Sequence, residues 1–141
     1  MFCPFYNHKV QQGMQDIRNA VQDEMIRLGN EPFPRNQPLC LPVWFFLKRP
    51  KNDFINRERV VGRLNLRALA EAGTIVAVKS DINNLAKFAL DSLKCALYND
   101  DAQVVELHIF KLRDSEGLCN GRIAIKCSPM NKTTQQLMPD F

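Results

Sequence analysis

"DINNLAKFALDSLKCALYNDDAQVVELHIFKL", residues Asp81 to Leu112, changes its period partway along. Leu85, Phe88, Ala89, Leu93, Ala96 and Leu97 recur at helical spacing and form one apolar face. Asn84, Lys87, Asp91 and Lys94 fall on the opposite face. Asp81 or Asn83 can cap the helix, because either side chain can accept from the unpaired amides of its first turn. "YNDD" makes a turn, so the helix is expected to end near Tyr98. Beyond it, Val105, Leu107 and Ile109 alternate with Glu106 and His108, the two-residue period of a strand. A helix that turns directly into a strand implies helices packed on a sheet.

Working outward, Val10, Met14, Ile17, Val21, Met25 and Leu28 mark a second amphipathic helix from Val10 to Leu28, stopped by Gly29-Asn30. "EPFPRNQP" is a proline-rich loop. Leu41 to Arg49, "LPVWFFLKR", reads as a buried strand broken by Pro50. Lys51 to Arg63 is polar and irregular. "LNLRALAEAG" suggests a short helix closed by Gly73, and "TIVAV" extended chain. "LCNGRIAIKC" adds an Asn120-Gly121 turn and another alternating strand. The expected fold is α+β: a small mixed or antiparallel sheet packed with two main helices. A single domain is expected over residues 1–127, with residues 128–141 a flexible tail.

At 141 residues, 45% hydrophobic and 24% charged, the chain can bury a substantial core. Its longest apolar runs are too short to span a bilayer, and its first residues lack the features of a secretory signal. An intracellular protein is expected. Five cysteines without a CxxC pair read as reduced thiols, and no zinc site is expected from their spacing. The net charge of +4 is unevenly placed, since Lys48 to Arg67 holds seven bases against two acids. A basic segment beside an acidic cluster suits a polyanion held against a metal ion; an ordinary solvated loop is the alternative.

The acids flank the helix, Asp81 before it and Asp100 and Asp101 after it. A straight helix of about fifteen residues would hold its ends roughly 22 Å apart. Asp81 and Asp101 can therefore converge only if the helix is shorter or the turn carries Asp101 back. Oxygen ligands of this kind suit magnesium or manganese, and Lys87 could meet a scissile phosphate. The calcium-loop alternative fails, because Leu85 takes a ligand position and the turn glycine is missing. A capping Asp81 and a solvated turn would explain the same acids without a metal.

The stretch resembles the RusA family of Holliday junction resolvases. Their pattern, Asp-x-Asp-Asn-Leu-x-x-x-x-x-Asp-x-Leu and then Asp-Asp-x-Gln before an apolar strand, appears here in order. Asp81, Asn83, Asn84, Leu85, Lys87, Asp91, Leu93, Tyr98, Asp100, Asp101 and Gln103 carry it, with "FFLKRPK" upstream. The resemblance runs from about Trp44 to Lys111, is weak over the first forty residues and is absent from the tail. It implies a homodimeric, magnesium-dependent endonuclease that cuts four-way DNA junctions symmetrically, with manganese as a substitute ion. Asp81 and Asp101 would be metal-binding catalytic carboxylates and Lys87 the catalytic lysine, with Asp91 and Asp100 as supporting acids. Lys48, Arg49, Lys51, Arg57, Arg59, Arg63 and Lys79 would face DNA phosphates, a placement that follows from charge.

Two departures stand out. Asn83 replaces the second carboxylate of Asp-x-Asp, an isosteric amide that removes a negative charge from the cation site. It should weaken metal binding and catalysis while sparing the fold and the DNA surface. Either an inactivating substitution or a natural, non-cleaving junction-binding relative would account for it. The other departure is the start, where only "MFCPFYN" precedes the first helix, so a trimmed or much reduced first strand is expected.

Overall fold

The computed structural model describes residues 2–6, 10–71, 81–113 and 121–140. In chain order its elements are β1 (Phe2–Tyr6), α1 (Val10–Leu28), β2 (Leu39–Leu47), α2 (Leu66–Glu71), α3 (Ile82–Leu93), β3 (Val104–Arg113), β4 (Arg122–Lys126), β5 (Ser128–Pro129) and α4 (Thr134–Leu137). The "TIVAV" stretch, Gly73, Lys79, His8 and Asn120 lie outside the described residues.

β2 organises the sheet because its side chains alternate between two environments. Leu39, Leu41, Val43 and Phe45 are buried, and the residues between them are half-buried. The sheet runs β1-β4-β2-β3, with β5 also paired to β2. β2 pairs parallel to β3 and antiparallel to β4, which in turn pairs antiparallel with β1. The sheet is mixed and the fold α+β, as expected. Gly121 leads into β4 where a Cβ would stand 2.9 Å from the Phe46 carbonyl oxygen, so glycine permits the close approach.

Ile17, Val21 and Met25 of α1 and Ala89 and Leu93 of α3 share one apolar cluster with the inner face of β2 and with Ile123 and Ile125 of β4. α1 begins and ends where its periodicity predicts, and Gly29 closes it in the left-handed region at φ 68°. α3 stops earlier than the apolar spacing suggests. Cys95 takes φ 69°, and its N–H donates to the Tyr98 carbonyl at 2.7 Å, so Ala96 to Tyr98 reach the core as a turn.

Val105 departs from the simple alternation expected of β3. Leu39 pairs with Val104 but Cys40 with Glu106, so Val105 is an extra residue, a bulge, and it is exposed. Beyond the bulge Leu107 and Ile109 pack against the core, while Glu106, His108 and Phe110 share the other face of the sheet.

Candidate metal and DNA site

Asp81 is the N-cap of α3, its Oδ1 accepting from the Asn83 N–H at 2.9 Å. Asn83 sits in the first turn with its side chain exposed. Lys87 is exposed farther along the helix, and among the described residues no ion pair claims it. α3 has 12 residues, so its own ends stand about 18 Å apart.

The turn after α3 folds back on the helix at Tyr98. Tyr98 is fully buried, and its hydroxyl donates to the Leu90 carbonyl at 2.7 Å, alongside the last turn of α3. Burial raises the Tyr98 pKa well above its ordinary value, and the charges of Asp101 and Asp91 raise it further. Along α3 itself, Asp81 and Asn83 stand at the start of the helix and Asp91 near its end.

Asp-Asp-x-Gln divides its labour. Asp100 is a cap, its Oδ1 accepting from the Ala102 N–H at 3.0 Å. Buried Gln103 is a fastener. Its Oε1 accepts from the Asn99 and Asp100 amides, and its Nε2 donates to Pro34 and Gln37 carbonyls at 2.7 and 3.3 Å. Asp101 is left over, with Oδ1 buried and without a hydrogen-bond partner among the described residues. A buried carboxylate oxygen with no donor fits a cation ligand. A cleft of about 250 Å³ lies beside this turn, lined by Arg35, Asn36, Gln37, Asp100, Gln103 and others.

The basic segment folds around a buried acid. Asp53 is 1% exposed and faces three arginines: Arg49 at 3.0 Å, Arg67 at 2.7 Å and Arg113 at 3.5 Å. Glu71 adds longer pairs to Arg67 and Arg113. Phe54, Leu64 and Ala68 form a small apolar cluster beneath the loop. Arg49 is itself 2% exposed, so burial and its bond to Asp53 remove it from the phosphate-facing set expected from charge alone. Lys48, Lys51, Arg57 and Arg63 are exposed, and Arg59 is half-buried.

A family model described as Endodeoxyribonuclease RusA matches residues 5–126. The chain belongs to the RusA family. No curated protein matches it. The family comprises endodeoxyribonucleases that resolve Holliday junctions and depend on a divalent metal. Within the RusA pattern, the structure separates fasteners from free groups. Among the described residues, Asp100, Gln103 and Tyr98 are engaged in hydrogen bonds, whereas Lys87 and the Asp101 Oδ1 are not. Sequence reading missed the architectural weight of Asp53 and Gln103. Asp53 counted only as an acid offsetting local charge, and a short acid-to-arginine spacing, Asp53 to Arg49, was its one visible signal.

Proposed function

We propose that this chain is a RusA-type junction nuclease whose catalytic site is held off by Asn83, on a scaffold that still binds branched DNA. The observation that carries the reading is the buried Oδ1 of Asp101, without a partner among the described residues, in a turn where Asp100 and Gln103 are fastened by hydrogen bonds. Asp81, Asn83 and Asp101 would hold magnesium, or manganese in its place, with Asp91 and Asp100 supporting them. A bound ion of this kind supplies positive charge and a more acidic water. Asn83 would contribute a neutral amide oxygen where the family pattern has a carboxylate, which lowers the charge available to retain the ion. Lys87 projects its ammonium into solvent from mid-helix, free to meet negative charge developing on a cleaved phosphate.

The helix length bears on assembly. Asp81 precedes α3 and Asp101 follows it in the chain, so ion binding would need the turn after α3, or a second copy of the chain, to bring the two carboxylates together. A two-fold homodimer would also set one site on each of two opposed strands. Lys48, Lys51, Arg57, Arg59, Arg63 and Lys79 would contact DNA phosphates.

Gel-shift titration of a synthetic four-way junction against linear duplex of the same sequence tests recognition. The expected result is preferential binding of the junction, weakening steeply with salt. Equal affinity for both DNAs would sink junction recognition.

A further inference from the structure

A second group of metal-ligating side chains lies on the sheet face opposite the helices. Cys40 of β2 stands directly across from Glu106 of β3, and His108 follows two residues along the same strand. The Cys40 Sγ, a Glu106 carboxylate oxygen and a His108 ring nitrogen all lie within 4.8 Å of one another. The bulge at Val105 creates this arrangement. Without the extra residue Cys40 would face Val105, and Glu106 would turn toward the core.

We propose that Cys40, Glu106 and His108 form a binding site for zinc or a similar borderline-soft divalent ion, distinct from the acidic site of α3. Thiolate, imidazole and carboxylate are the donors zinc prefers, and three protein ligands leave a fourth tetrahedral position for water. Magnesium, which takes oxygen ligands in octahedral geometry, is a poor match for this donor set. Ligand atoms around tetrahedral zinc stand roughly 3.3 to 3.8 Å apart, as follows from metal–ligand lengths of about 2.0 to 2.3 Å. Side-chain rotation therefore closes the cluster.

The His108 ring is already oriented. It stacks on Phe110 at a centroid distance of 6.4 Å and an interplanar angle of 8°, and Phe110 stacks on Trp44 at 5.6 Å and 10°. His108 Nε2 lies 2.8 Å from Glu106 Oε1, and the Lys132 ammonium lies 4.0 Å from the same oxygen. The ion would replace the His108–Glu106 hydrogen bond, displace Lys132 and exchange for the Cys40 thiol proton, which passes to water.

Cobalt(II) titration of the full, chelator-treated chain tests this site without DNA or magnesium. The expected result is one equivalent bound, with a thiolate-to-cobalt charge-transfer band that zinc abolishes and excess magnesium leaves unchanged. Cys40→Ser should remove the band, and His108→Ala should weaken binding at least tenfold. Circular dichroism checks that each variant folds. If Cys40→Ser misfolds, Glu106→Gln and His108→Ala decide the matter through affinity. Absence of the band in the parent chain overturns the site. So does a band of full intensity in folded Cys40→Ser, which would assign the thiolate to another cysteine such as exposed Cys95.

Discussion

Asp101 and Gln103 stand two residues apart and are predicted to fail in opposite ways when changed. Asp101→Asn removes a negative charge from an oxygen that has no donor, so stability should hold or rise by up to about 1 kcal/mol. In a chain restored to cutting by Asn83→Asp, the same change should cost on the order of 100-fold in metal-dependent cleavage. Gln103→Ala strands amides and carbonyls that the buried side chain now satisfies, and should cost about 2 to 3 kcal/mol in urea unfolding. Alkaline behaviour belongs to this scale too. Burial lifts the Cys127 thiol from 9.0 to about 12 and raises Tyr98 as well. Both groups bind protons more tightly folded than unfolded, so their stabilisation is complete below their ordinary values. It is lost as the unfolded groups ionise, from about pH 9 upward. Urea unfolding across the alkaline range should show this fall, with Cys127→Ala making it shallower.

The elements were legible where a single periodicity ran unbroken. α1 follows six apolar residues at helical steps, and its glycine stop marks the end. α3 was less so, because Ala96 and Leu97 keep helical spacing yet reach the core through a turn forced by the left-handed Cys95. The bulge at Val105 was invisible for a related reason, since only the pairing of β3 with β2 determines which residue is extra. The cluster of Cys40, Glu106 and His108 was hidden likewise, because Cys40 lies on β2, far along the chain from Glu106 and His108 of β3, until the two strands pair. The basic segment shows the limit of charge counting, which put Arg49 on the DNA surface when Asp53 holds it inside. Asp53→Ala should leave buried arginine charge uncompensated and cost about 3 to 5 kcal/mol, measurable as a lower unfolding midpoint. Lys51→Ala and Arg63→Ala should leave stability unchanged. Each that loses a phosphate contact should reduce the salt slope of junction binding by about 1.

At the scale of the whole molecule, the fold is a mixed sheet with α1 and α3 packed on its core face, and the opposite face holds the His108, Phe110 and Trp44 stack. α3 links this scaffold to the proposed chemistry. Its buried side secures Leu93 and Ala89 in the core, and its solvent side presents Lys87 between the two acidic ends. The order of acids, lysine and glutamine could be read from the sequence, and membership of the RusA family follows from the match over residues 5–126. In the proposed site Asp81 and Asp101 would close around a common ion. Asn83→Asp, assayed beside the parent chain on a synthetic four-way junction with magnesium, tests the central claim most directly. The account predicts that both proteins bind the junction and that only Asn83→Asp cuts it, with paired nicks in opposing strands. A junction-bound Asn83→Asp protein that cuts with neither magnesium nor manganese would contradict it.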